Sequence, residues 1–151
     1  MFRYQRRVQF AETDAAGMVH FANFFRYMEE AEHALWRAAG LTIHPEPEPE
    51  LGPAGPKLAG TLASAGWPRV AASADFKTPL RFEDEFEVRV TIAAVSARSI
   101  KYAHEIVRGS EPIATGTVTV VCVRRDANGV RKAVEIPADV LEKLRAVLQA
   151  T

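Results

Sequence analysis

FANFFRYMEEAEHALWRAA, residues 21–39, is the stretch that decides the fold. Phe21, Phe24, Phe25, Met28, Ala31, Leu35 and Ala38 recur three or four residues apart, the spacing of one stripe along a helix. Gly40 follows as a C-terminal stop. At 3.6 residues per turn this helix is about five turns long. A stripe this rich in aromatic side chains needs a broad apolar surface to lie against, so the helix belongs in a core.

The surface comes from the flanking segments. Before the helix, Tyr4, Arg6, Val8 and Phe10 alternate with Arg3, Gln5, Arg7 and Gln9, the period of two of a half-buried strand, which ends at Ala11. After it, residues 42–68 hold Pro45, Pro47, Pro49, Pro53, Pro56 and Pro68, so neither a regular helix nor a central strand runs through them. Alternation returns at Val70–Phe76, Phe86–Ile92 and Ile100–Ile106, and Ile113–Val123 adds another strand. These form one antiparallel meander. Asn128-Gly129 signals a hairpin, and residues 130–134 return as an edge strand. Pro137 opens a last helix whose apolar positions Val140, Leu141, Leu144, Val147 and Leu148 pack on the outside of the sheet. The order is that of an α+β domain in which one sheet wraps one helix.

The chain's 151 residues are 48% apolar and 25% charged, ordinary for a globular domain. They are enough to bury roughly 70% of the unfolded surface without metal or disulfide staples. A single domain over residues 1–151 is expected, because the first 40 residues offer too little to fold alone. Cys122 is the only cysteine, and the N-terminus lacks a secretory pattern, so a reducing, cytoplasmic location is expected. No apolar run reaches the length of a membrane span. Lys plus Arg and Asp plus Glu both number 19, so no global charge draws the chain to nucleic acid.

Between strand and helix lies ETDAAGMVHFAN, residues 12–23. A loop entering a helix N-terminus offers backbone N–H groups with no intrahelical partner, at the positive end of the helix dipole. Such groups can hold an oxyanion while a carboxylate upstream attacks a carbonyl or activates water. Gly17 allows a tight turn. Without further context, Asp14 reads equally as a turn cap.

Asp14-Ala15-Ala16-Gly17-Met18-Val19-His20-Phe21 resembles the signature of hotdog-fold acyl-CoA thioesterases of the 4-hydroxybenzoyl-CoA thioesterase type. The likeness continues through Ala39-Gly40-Leu41 and Asp75-Phe76-Lys77-Thr78-Pro79-Leu80, and departs at the longer proline-rich segment 42–66. It implies a hotdog fold, with an antiparallel sheet of five to six strands around one long helix and a C-terminal helix. It also implies an acyl-CoA substrate, no metal or other cofactor, and a homodimer or homotetramer with sites between subunits. Asp14 would be nucleophile or general base, and the Phe21 backbone N–H would polarise the thioester carbonyl. Gly17, His20, Asn23 and Arg98 would contact or frame the substrate, Arg98 at the CoA phosphates.

Other reactive-looking residues have plainer readings. Cys122 shares a face with Val118 and Val120 and reads as a buried thiol. His104, beside Tyr102 and Ile106, reads as a satisfied core histidine. Histidines at 20, 33, 44 and 104 lack the close pairing of zinc sites. The absence of a Gly-x-Ser-x-Gly elbow excludes the α/β-hydrolase route. Glu29, Glu30 and Glu32 read as a solvated helix face, with Glu29 the reserve carboxylate. A hydratase or dehydratase on the same fold and a non-catalytic acyl-CoA-binding module are the alternative functions.

Overall fold

The computed structural model describes residues 1–42, 65–125 and 130–150. Most of the proline-rich segment, residues 43–64, and the Asn128-Gly129 turn lie outside the described residues. The elements run β1 (Phe2–Arg7), a short 3-10 turn (Phe10–Glu12), α1 (Ala22–Ala38), β2 (Arg69–Phe76), β3 (Glu85–Val95), β4 (Ser99–Arg108), β5 (Glu111–Val121), β6 (Val123–Arg125), β7 (Arg131–Ala133) and α2 (Ala138–Ala150).

Five antiparallel strands form one sheet in the order β1-β3-β4-β5-β2. Only β3, β4 and β5 are a consecutive meander. β2, the first strand after α1, closes the edge opposite β1, a placement that strand periodicity alone does not encode. Residues 130–134 do not extend this sheet either, because among the described residues β7 pairs with β6 in a separate two-stranded sheet. α2 makes its main contacts with α1 rather than with the sheet's outer face. Val140 and Leu144 are its buried positions.

α1 lies across the sheet, and Phe24, Tyr27, Met28, Ala31, Leu35 and Trp36 bury against Phe86, Val88, Val90, Ile100, Tyr102, Val118 and Val120. Each such large apolar side chain contributes about 1.5–3 kcal/mol of transfer free energy. The helix can come this close because Gly116 stands under it. A Cβ there would lie 2.7 Å from the Ser73 carbonyl oxygen as well as against the Met28 side chain.

Phe21 and Ala38 depart from the expected stripe by being exposed. Phe21 is 60% exposed, because it precedes the first helical turn and its side chain projects from the loop. Phe10 likewise leaves the core at 75% exposure, since β1 ends at Arg7 and the chain turns before it. Glu32, by contrast, is buried at 2%. Its carboxylate lies 3.0 Å from Arg69 and 3.3 Å from His104 Nε2. The core histidine is therefore paired with a buried acid, though neither ring nitrogen makes a well-aligned hydrogen bond. Trp36 donates to the Tyr102 hydroxyl at 3.0 Å nearby. Cys122 is buried, and burial pushes its thiol up.

β2 is an edge strand with one neighbour, and nearly every residue along it is exposed, including Val70 at 60% and Phe76 at 49%. No described helix is long and apolar enough to cross a membrane.

Candidate active site

The loop between β1 and α1 is folded back on itself rung by rung. His20 N–H donates to the Glu12 carbonyl at 2.9 Å, Thr13 and Val19 form an antiparallel bridge, and Asp14 N–H donates to the Met18 carbonyl at 2.8 Å. Residues distant in sequence are thereby brought side by side, with Asp14 near the tip and His20 and Phe21 at the base, where α1 begins. Gly17 closes the tip with φ +71°, a left-handed conformation that costs a residue with a Cβ about 1–2 kcal/mol. Val19 N–H ties the returning strand to the Leu80 carbonyl at 2.8 Å, and Arg81 reaches the Gly17 carbonyl at 3.5 Å.

Asp14 is exposed, and its two carboxylate oxygens differ. Oδ1 accepts the Ala16 N–H at 2.8 Å and the Met18 N–H at 3.3 Å. Oδ2 has no partner among the described residues. The turn-capping reading and the chemical reading of Asp14 are thus compatible, because one oxygen caps and the other is left over.

At the start of α1 one backbone N–H is vacant among the described residues. Ala22 N–H donates to His20 Nδ1 at 3.3 Å, Asn23 N–H to the His20 carbonyl at 2.9 Å, and Phe24 N–H to the Phe21 carbonyl at 3.2 Å. The Phe21 N–H has no acceptor among the described residues. It stands at the positive end of a 17-residue helix, where a developing negative charge is favoured. The His20 ring packs against the Phe21 ring, centroids 4.5 Å apart and planes tilted by 32°.

A charged scaffold that sequence reasoning missed holds this loop from below. Glu12 accepts two hydrogen bonds from Arg6, at 2.6 and 3.0 Å, one from the Tyr27 hydroxyl at 2.8 Å and one from the Gln9 N–H at 2.8 Å. Arg6 also binds Glu30 at 2.6 Å and lies over the Tyr27 ring. Asn23 Nδ2 donates to the Glu12 carbonyl at 2.8 Å, so its side chain is spent on the loop. The sequence carried two clues. Arg6 is a charge on the apolar face of β1, which demands a partner, and Gln9 with Glu12 has capping-box spacing.

The scaffold has an acid limit. Burial alone would raise the Glu12 carboxyl, but hydrogen bonds from Arg6, the Gln9 N–H and Tyr27 outweigh it and hold it below the usual range. Glu87 is lowered too, first by its hydrogen bond from Arg89. Carboxyls held low in the fold contribute stability that is complete above their unfolded value near 4.5 and lost as pH falls through the folded value. The carboxylate contribution to melting temperature should therefore be flat from pH 7 to about 5 and fall below about 4.5. Burial, which holds the His33 imidazole below its ordinary value, adds a gentler decline below about 6.5. Glu12→Gln should shallow the steep acid limb. An acid limb equally steep in wild type and Glu12→Gln would rule Glu12 out as a contributor.

Arg98 occupies the turn between β3 and β4, where its carbonyl accepts the Cys122 N–H at 2.8 Å. The Asp14 loop adjoins the opposite end of β3, an 11-residue strand, roughly 30 Å away at 3.3 Å per residue. One chain does not bring Arg98 to Asp14. Glu29 is engaged by Arg69 at 2.9 Å, toward β2 and away from the loop.

A model of the Thioesterase-like superfamily matches residues 8–144. The chain belongs to that superfamily. A hypothetical protein from Aquifex aeolicus, known from its crystal structure, superposes with a TM-score of 0.76 at 31% identity, over 95% of this chain and 99% of that one. The crystal structure of a 1,4-dihydroxy-2-naphthoyl-CoA thioesterase from Synechocystis gives a TM-score of 0.76 at 25% identity, covering 95% of both chains. A 1,4-dihydroxy-2-naphthoyl-CoA hydrolase from Nostoc punctiforme is 27% identical over 143 residues, 95% of this chain and 86% of its own length. The sheet and helices described above are thus the hotdog fold of the Thioesterase-like superfamily, and relatives within it are named as hydrolases of CoA thioesters.

Proposed function

We propose that this member of the Thioesterase-like superfamily hydrolyses an acyl-CoA to the free acid and CoA, with Asp14 as nucleophile or general base. The observation that carries the reading is the presence, on one folded loop, of a carboxylate oxygen and a helix-start N–H that both lack a partner among the described residues. In the general-base route the water oxygen bonds to the thioester carbon while its proton passes to Asp14. The carbonyl π pair moves onto oxygen, held by the Phe21 N–H. The pair then returns, the C–S bond breaks, and the thiolate takes the proton from Asp14. In the nucleophilic route Asp14 Oδ2 bonds the carbon, the thiolate leaves, and water cleaves the resulting anhydride.

The naphthoyl relatives and the aromatic residues around the loop favour a hydroxylated aromatic acyl group, and a short or medium aliphatic chain is the competitor. Thiol release from a panel of both classes tests this. Preference for the aromatic substrates by tenfold or more in kcat/KM is expected, and the reverse order would refute it.

The chain acts as a homodimer in this reading, and β2 is the strand that pairs with a second copy. A long edge with small apolar residues, Val70 to Ala74, and without a proline is the kind that sheets cover or pair. In a symmetric contact the middle of β2 meets its own counterpart. Ala72→Lys should therefore reduce the species seen by light scattering from twice the 16.6 kDa chain mass to one chain. A dimer that persists unchanged in Ala72→Lys would argue against the β2 interface.

A further inference from the structure

We propose that His20 supplies a second hydrogen-bond donor to the thioester carbonyl oxygen, its Nε2–H acting beside the Phe21 N–H. The inference rests on the thioesterase reading and goes beyond it by assigning a role to one atom. An imidazole nitrogen accepts a hydrogen bond only when it carries no hydrogen. His20 Nδ1 accepts the Ala22 N–H at 3.3 Å, so the ring proton is on Nε2. A half-turn of the ring about Cβ–Cγ would keep its contact with Phe21 at 4.5 Å but would lose that bond, so the bond sets which nitrogen faces outward. Its backbone is fixed on either side, the N–H by the Glu12 carbonyl and the carbonyl by the Asn23 N–H.

The Nε2–H so fixed has no acceptor among the described residues, and the residue is exposed. The acid bonded into the same rung, Glu12, does not claim it, because its carboxylate is occupied by Arg6, Tyr27 and the Gln9 N–H. A donor of fixed tautomer at a helix N-terminus is what a developing oxyanion requires, since it needs no reorganisation as charge builds. His20 moves no proton here. The carbonyl oxygen gains charge as the carbon is attacked and loses it as the C–S bond breaks, and the Nε2–H holds it throughout.

The bland alternative is that His20 only caps Ala22, and three substitutions separate the two. Asn places its carbonyl oxygen near the Nδ1 position and keeps the cap without the outward donor. Gln places its amide nitrogen near the Nε2 position and keeps the donor without the cap. Phe keeps only the ring contact. We expect His20→Asn and His20→Phe to lower kcat by about a hundredfold with little change in KM, the scale for losing one oxyanion donor. His20→Gln should stay within about fivefold of wild type. Wild-type kcat in His20→Asn, or a loss in His20→Gln equal to that in His20→Phe, would overturn the assignment.

A second measurement does not depend on turnover. Long-range proton–nitrogen NMR should find the His20 proton on Nε2, and that nitrogen should shift when a ketone analogue of an acyl-CoA, with CH2 in place of sulfur, is bound. A proton on Nδ1, or no shift at saturation, would overturn the proposal even if hydrolysis is confirmed. A shift without any hydrolysis would instead defeat the thioesterase reading and leave the carbonyl contact standing.

Discussion

Glu32→Ala lowers the melting temperature by about 10 °C, corresponding to about 3 kcal/mol for a domain of this size. The Glu32 carboxylate is buried in the core, where one oxygen binds Arg69 at 3.0 Å and the other lies 3.3 Å from His104. Removing it leaves the fully buried His104 ring without its acid partner and cuts Arg69 off from the interior. Losing one partner of a buried pair costs about 3–5 kcal/mol. The lower end applies, because Arg69 is partly exposed to water and keeps Glu29 at 2.9 Å. Glu32→Gln retains an oxygen for Arg69 and should cost less. Thermal unfolding followed by circular dichroism checks both, and a fall under about 2 °C in Glu32→Ala would mean that the pair contributes little.

The second large effect is on turnover. Asp14→Asn preserves the amide oxygen that accepts the Ala16 and Met18 N–H groups, so the loop and the melting temperature should hold. In place of Oδ2 it puts an NH2 group, which can neither attack a carbonyl nor take a proton from water. The expected fall in kcat is about a hundredfold to ten-thousandfold, or about 3–5 kcal/mol in the barrier, with KM little changed. A single turnover of the wild-type enzyme in labelled water then tests the covalent route. Label in the Asp14 carboxylate identifies an anhydride cleaved by water at the aspartyl carbon, and confinement of the label to the product acid excludes that step.

Periodicity alone placed α1, β1 and the four later strands close to where they lie, because period 3.6 and period 2 follow from backbone geometry. It could not give the order β1-β3-β4-β5-β2, since alternation states that a segment is a strand and not which neighbour it takes. Glu32 departs from its expected solvated face for a different reason. Its position, four residues from both Met28 and Trp36, belongs to the buried stripe, but its charge suggested solvent. The partners that make burial tolerable, Arg69 and His104, are remote in sequence. At the loop, the acid and the turn were legible from Asp14 to Gly17. The folding back that sets Asp14 beside Met18, and the scaffold of Arg6, Glu12, Tyr27 and Glu30, depend on contacts across the fold that spacing does not encode. Arg98 has the right chemistry for phosphate, and its separation from Asp14 within one chain is visible only once the strand lengths and register are known.

The measurement that bears most directly on the proposed chemistry is free-thiol release from a hydroxylated aromatic acyl-CoA, run in parallel on wild-type protein and on Asp14→Asn shown to be folded by circular dichroism. The account predicts steady release by the wild type and a fall of at least about a hundredfold in the variant. Equal release by the two proteins, or none by the wild type on any acyl-CoA, would contradict it.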